Sequence, residues 1–172
     1  RIATLADMHG HYPDEPLDAD LILLAGDLLL DADECGGDQA RWFTRNLVPW
    51  LARQRAPVVA VYGNHDHVLQ SFPDLAKQGR WTFLMDETVE VAGLKIHGAP
   101  WPRDGGDAEL EPRWRLIPEN LDILLLHSPP RNFGDWCNGH LGPTSLLRYW
   151  GIRKPTLTVF GHNHEGYGRW EF

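Results

Sequence analysis

Five short stretches of this chain carry side chains able to do chemistry. Asp7 and His9 stand two residues apart, and Gly26-Asp27, Gly63-Asn64-His65-Asp66, His127 and Gly161-His162-Asn163-His164 follow. The groups are imidazole, carboxylate and carboxamide, with no thiolate among them. That mixture suits first-row metals such as Mn, Fe, Zn, Co or Ni and disfavours a structural zinc finger. Chance decides how much each motif weighs. With 15 Asp and nine His in 172 residues, an Asp-x-His arises about 0.8 times at random and means little alone. Gly-His-x-His is expected ~0.05 times and Gly-Asn-His-Asp ~0.003 times, so their joint presence is a signal. Asp7, His9, Asp27, Asn64, His127, His162 and His164 offer more donors than one ion needs. They can hold two ions ~3.5–4 Å apart if one carboxylate bridges them.

Each stretch directly follows a short apolar run, at residues 2–6, 21–25, 58–62, 123–126 and 156–160. Near-continuous apolar runs of that length read as strands covered on both faces, and ligands gather at the ends of such strands. Between the second and third runs, Ala40, Trp42, Phe43, Leu47, Trp50 and Leu51 have amphipathic helical spacing over residues 38–53, interrupted at Pro49. A short helix is expected after Asp66 as far as Gln78, with Gly79 as its stop, and another from Leu141 to Trp150. Shorter strands are expected at residues 82–84, 88–91 and 94–97, the last two forming a hairpin that turns at Ala92-Gly93. Residues 98–118 and 128–143, rich in Pro, Gly and Trp, read as two long loops. The expected fold is a single α/β domain over 1–172, a two-sheet αββα sandwich with mixed sheets.

Composition bounds the rest. The formal net charge of −8 disfavours extended nucleic acid and anionic membranes as partners. An anionic substrate would need the sign reversed locally. No apolar run approaches the ~20 residues of a membrane span. Arg1 opens no basic-then-apolar leader, and two cysteines make no disulfide scaffold, so a cytoplasmic setting is expected, with Cys35 and Cys137 as plain thiols. With no initiator Met, a trimmed or processed chain is expected.

In this order the motifs resemble the calcineurin-like metallophosphoesterase family. Gly98-Ala99-Pro100-Trp101, His127-Ser128-Pro129-Pro130 and Gly161-His162-Asn163-His164-Glu165-Gly166-Tyr167-Gly168 are similar to its small MPPED-type branch. The resemblance implies two divalent or mixed-valence transition-metal ions. Asp7, His9, Asp27 and His164 would surround one; Asp27, Asn64, His127 and His162 would surround the other, with Asp27 bridging. It puts His65 in the place of a transition-state or leaving-group histidine. The phosphoprotein-phosphatase branch continues its Gly-Asp as Asp-x-x-Asp-Arg-Gly. Here Asp27 is followed by Leu28-Leu29-Leu30-Asp31-Ala32, which argues against a protein phosphatase and leaves Asp31 and Asp66 both open as the partner orienting His65.

The implied activity is metal-dependent phosphoric ester hydrolysis. A phosphodiesterase acting on small diesters, cyclic nucleotides and aryl diesters among them, comes first, with a hydroxide shared by the ions as nucleophile. A phosphomonoesterase on a small substrate is the alternative, and a scaffold binding partner proteins is the reading from another class. Retired members lose ligands, and here every expected position is filled. Two divalent ions outweigh Asp7, Asp27 and a hydroxide by one positive charge, which a phosphodiester monoanion neutralises. Asn64, His65, Arg103 and Arg131 are the expected substrate contacts, and Trp101, Trp136 and Tyr167 could stack an aryl group or base. His11, His67, His97 and His140 read first as ordinary histidines, His67 and His140 also as candidates for the pocket wall.

Overall fold

The computed structural model describes residues 1–72, 74–75, 81–102 and 107–170. The apolar runs become β1 (Ile2–Leu5), β2 (Leu21–Ala25), β3 (Val58–Val61), β7 (Ile123–Leu126) and β8 (Leu157–Val159); β4 (Trp81–Phe83), β5 (Glu87–Val91) and β6 (Leu94–Ala99) lie between β3 and β7. One sheet has the order β1-β2-β3-β4 and is parallel throughout. The other has the order β5-β6-β7-β8, with only β5 antiparallel. The expected two-sheet sandwich is found, but mixed pairing is confined to the second sheet. A hairpin joins β5 and β6, and Ala92 and Gly93 sit at φ 53 and 74, the doubly left-handed turn that matches strand twist.

The period of two along each strand explains the layers. Leu21, Leu23 and Ala25 of β2 and Ile123 and Leu125 of β7 face each other across the interior between the sheets. Ile22 and Leu24 turn the other way, onto α1 (Gln39–Trp42), a wide turn at Phe43–Leu47 and α2 (Val48–Arg53). Leu124 and Leu126 likewise turn onto α4 (Asp107–Trp114) and α5 (Thr144–Arg153). Both faces of β2, β3 and β7 are therefore buried, as their unbroken apolar sequences require.

Three differences from the sequence expectation have local causes. The helix at 38–53 is interrupted by widening: the Val48 N–H reaches back to the Phe43 carbonyl, and Pro49 then falls at the start of α2, where its missing N–H costs least. Residues 98–118 are not one loop, because β6 runs to Ala99 and α4 occupies 107–114. Leu110 and Trp114, one turn apart, bury against the second sheet, although Pro112 and the charged neighbours mask that pair in the sequence. The last helix starts at Thr144, behind an extended Pro143, and ends at Lys154 at φ 45, one residue before Pro155. The helix expected after Asp66 is α3 (His67–Ser71); its expected end at Gln78 and Gly79 lies outside the described residues. Among the described residues no helix is long and apolar enough to cross a membrane.

The turns at the strand ends are fixed by two buried polar side chains. The Asp66 carboxylate, fully buried, accepts the N–H groups of Leu28 and Leu29 at 2.9 and 2.8 Å and that of Gly63 at 2.8 Å, tying the exit of β2 to the exit of β3. Gln39 holds the carbonyls of Leu30 and His65 and the N–H of Val68. Asp66→Ala would leave three buried donors orphaned, each costing ~1–3 kcal/mol, so a loss of about 3 kcal/mol or more is expected in urea unfolding. Asp66→Asn, which keeps one acceptor oxygen for Leu28 and Leu29, should lose less. A loss below about 1 kcal/mol for Asp66→Ala would show that this carboxylate is not what holds the turns.

Candidate metal centre

Because β1, β2 and β3 are parallel, their C-terminal ends lie along one edge, and so do those of β6, β7 and β8. Backbone bonds carry the pairing past the strands: the Asp7 and His9 N–H groups reach the carbonyls of Gly26 and Asp27, each at 3.0 Å. The sheets meet at this edge. The Trp101 N–H donates to the Tyr62 carbonyl at 3.1 Å, and the His162 N–H donates to the Asp7 carboxylate at 2.8 Å. Close approach needs glycine here: a Cβ at Gly161 would meet Asp7 Oδ2 at 2.6 Å, and one at Gly63 would collide with the Asp27 carboxylate.

The seven residues expected as ligands converge on this edge. Asp7, His9 and His164 form one group whose donor atoms lie within 4.8 Å of one another, and Asp27, His127 and His162 form a second. Asp27 lies between them, with Oδ2 at 4.0 Å from His9 Nε2 and 3.3 Å from His127 Nε2. Asn64 completes the second group, its Oδ1 at 2.9 Å from both His127 Nε2 and His162 Nδ1. Asp7, His9, Asp27 and His162 sit at positive φ of 52, 42, 50 and 73, strained conformations that cluster where function constrains a backbone.

The electrostatics of the second group ask for a cation. The His127 Nδ1–H donates to the Ala25 carbonyl at 2.7 Å, which turns Nε2 toward Asn64 and Asp27. With Nδ1–H spent on Ala25, Nε2 of a neutral His127 faces the Asn64 oxygen and the Asp27 carboxylate without a proton, an arrangement that positive charge between them relieves. Either a proton on His127 or a metal ion supplies it. Burial opposes charging His127, yet Asp27, the Ala25 carbonyl and Asp7 together hold its pKa above the ordinary imidazole value. Burial also opposes charge on Asp27, but His127 and the His65 N–H keep its carboxyl below the usual range. Burial, then the neighbouring His127 charge, pushes His162 down to about 4. Burial raises Asp7 and pushes Asp66 up to about 6. Oxygen and imidazole donors of this kind fit a first-row divalent ion.

The surroundings answer the question left open for His65. Asp31 is its neighbour, with Oδ1 at 2.7 Å from His65 Nδ1 and 3.6 Å from His9 Nδ1, whereas Asp66 is spent on backbone donors. The contact is a close approach rather than an aligned hydrogen bond, since this buried oxygen receives no hydrogen bond. His65 lines an open cleft of about 500 Å³ together with Asp27, Asn64 and His162; His11 and Glu34 join them, and neither was expected there. Glu34 carried only a weak signal, three residues beyond Asp31 in a turn closed by its own N–H to the Asp31 carbonyl.

The other expected contacts are placed differently. Arg131 does not line the cleft, and Arg103 lies outside the described residues. His67 approaches the His65 ring at 6.4 Å without lining the cleft. His140 pairs with the buried Asp135 at 3.1 Å and, with Trp136, lines a separate recess. Tyr167 is 98% exposed and Trp136 63%. Trp101 stacks on His162 instead, with centroids 4.3 Å apart. His97 is buried and contacts the Thr88 hydroxyl at 2.9 Å.

Known proteins resemble this chain in sequence. Metallophosphoesterase domain-containing protein 1 of Homo sapiens is 44% identical over 101 residues, covering 50% of this chain and 30% of that protein. A UPF0046 protein of Caenorhabditis elegans is 39% identical over 97 residues, covering 50% of this chain and 24% of that protein. The chain thus spans about a third or less of the length of these relatives. A solved structure described as a novel archaeal phosphodiesterase aligns over 96% of this chain and 86% of its own, with a TM-score of 0.42 and 16% identity. A family model described as Calcineurin-like phosphoesterase matches residues 1–166, a span holding the eight strands of the described residues and all seven converging donors, and on that match the chain belongs to the calcineurin-like phosphoesterase family, whose members use divalent metal ions.

Proposed function

We propose that this chain is a phosphodiesterase that holds two divalent transition-metal ions at the strand ends and hydrolyses small phosphodiesters. The observation that carries the reading is the position of Asp27, one carboxylate within reach of two separate donor groups. Asp7, His9 and His164 would serve one ion, Asn64, His127 and His162 the other, and Asp27 both. Bound there, such ions supply the positive charge that draws in a phosphoester anion and bring water into its nucleophilic form near neutral pH.

The chain's own residues do the rest. Asn64 and His65 face the cleft where the phosphoryl group would lie. Protonated His65, held by Asp31, is positioned to give its proton to the departing alkoxide. No lysine or arginine lines the cleft among the described residues, while Asp31 and Glu34 do. A dianionic monoester would therefore meet acids without a matching cation, and this favours the monoanionic diester. The same balance favours a small substrate over an extended nucleic acid.

Hydrolysis of bis(p-nitrophenyl) phosphate is expected with added Mn²⁺, lost with EDTA and restored by excess metal; activity indifferent to chelator would end the metal reading. Calorimetric titration with Mn²⁺ should resolve two sites in the wild type and one in Asp27→Asn, and two sites of unchanged affinity would rule out the bridge. His65→Ala should cost ~10²–10⁴ in rate on alkyl esters, whose leaving groups need a proton, and far less on nitrophenyl esters. Equal losses on the two classes would remove His65 as proton donor.

A further inference from the structure

We infer that Trp101 is a positioning residue for the second ion's ligands, a flat wall that fixes the His162 imidazole and keeps water from one side of it. This rests on the two-ion reading above. The indole lies 4.3 Å from the His162 ring, centroid to centroid, at an interplanar angle of 34°. Its edge contact with His127 is at 5.7 Å and 77°, and the two imidazoles meet each other at 5.3 Å and 71°. Three rings thus form one packed unit, in offset and edge-to-face arrangements that aromatic quadrupoles favour.

His162 needs such a wall more than its fellow ligands do. His127 is fully buried at the end of the central β7, and its ring is locked by the Ala25 carbonyl. His162 follows β8, a three-residue edge strand that pairs only with β7, and its own backbone is strained at φ 73. The ring contact to Asn64 Oδ1 fixes one nitrogen but leaves the plane free to swing about that contact. The indole removes the swing. The backbone that carries it is held: Pro100 and Pro102 flank Trp101, and the main-chain N–H of Trp101 donates to the Tyr62 carbonyl, two residues before Asn64. The residue that clamps His162 is thereby tied to the segment that supplies the Asn64 oxygen. Groups that orient a metal ligand from outside are worth ~10–100-fold in metal affinity.

The test is Co²⁺ binding to the full chain, followed by calorimetry and by the visible absorption of the bound ion. Trp101→Ala should weaken one of the two sites ~10–100-fold and alter its absorption band, while Trp101→Phe keeps most of the affinity. In a His162→Ala background, Trp101→Ala should add no further loss, because its effect runs through that ring. Unfolding of the metal-free variants in urea separates positioning from folding, and Trp101→Leu, which keeps apolar bulk without a flat ring and should show the same loss, carries the comparison if Trp101→Ala does not fold. Wild type that binds Co²⁺ and Trp101→Ala that binds it unchanged would overturn this inference alone, as would an equal loss in the His162→Ala background. Wild type that binds no Co²⁺ would overturn the metal reading and this inference together.

Discussion

Electron-rich atoms crowd one edge of a protein that already carries a formal charge of −8. Two carboxylates, a carboxamide oxygen and the imidazoles of four histidines converge there, with no lysine or arginine lining the cleft among the described residues. The two carboxylates repel each other, and positive charge at the centre relieves both them and the lone pairs turned inward. Asp27, the Ala25 carbonyl and Asp7 raise the pKa of His127 against its burial, which expresses that demand on an imidazole. A divalent ion answers the same demand more fully, because it offers several coordination positions where a proton offers one hydrogen bond. The left-handed backbone at Asp7, His9, Asp27 and His162 is a further cost of holding the groups together, of order 1–3 kcal/mol at each strained residue.

The sandwich bears that cost because its core lies immediately behind the site. β2, β3 and β7 are buried on both faces, and each ends directly in a donor segment: Asp27, Asn64 and His127. The sheets are joined at the site as well as through the core. His127 of the second sheet bonds the Ala25 carbonyl of the first, and Asp7 of the first accepts the N–H of His162. Neither sheet can slide without separating a donor pair. Asp66 plays the same part within the first sheet, converting the N–H groups that β2 and β3 leave unpaired into a fixed distance between Asp27 and Asn64.

Much of this was legible in the sequence because it rests on local rules. Unbroken apolar runs mark doubly covered strands, and motifs far above chance mark the donors that follow them. What was hidden depends on packing between distant segments. Asp31 and Asp66 are both acids close in sequence to candidate donors, and only burial separates them, one turned toward His65 and the other consumed by three backbone N–H groups. The helix at 107–114 was masked because its one-turn apolar pair, Leu110 and Trp114, is set among charges and contains Pro112. Glu34 and His11 reach the cleft through the turns that follow β1 and β2, whose paths no periodicity encodes.

Asp31 also shows how the proposed chemistry is held in register. Its carboxylate lies at 2.7 Å from His65 Nδ1 and 3.6 Å from His9 Nδ1, so one acid faces both the proposed proton donor and a proposed ligand of the first ion. The rings of His9 and His65 meet edge to face at 5.0 Å, which leaves little room for one to move without the other. A proton donor helps only while it stays within hydrogen-bond reach of the departing oxygen, and that oxygen's position is set by whatever holds the phosphoryl group. Placing His65 and His9 against the same carboxylate couples that distance to the folded frame more closely than a side chain alone in an open cleft would. The protein-phosphatase motif absent after Asp27 supplies an acid at another spacing; in this chain the acid stands one residue later and still reaches the histidine that follows Asn64.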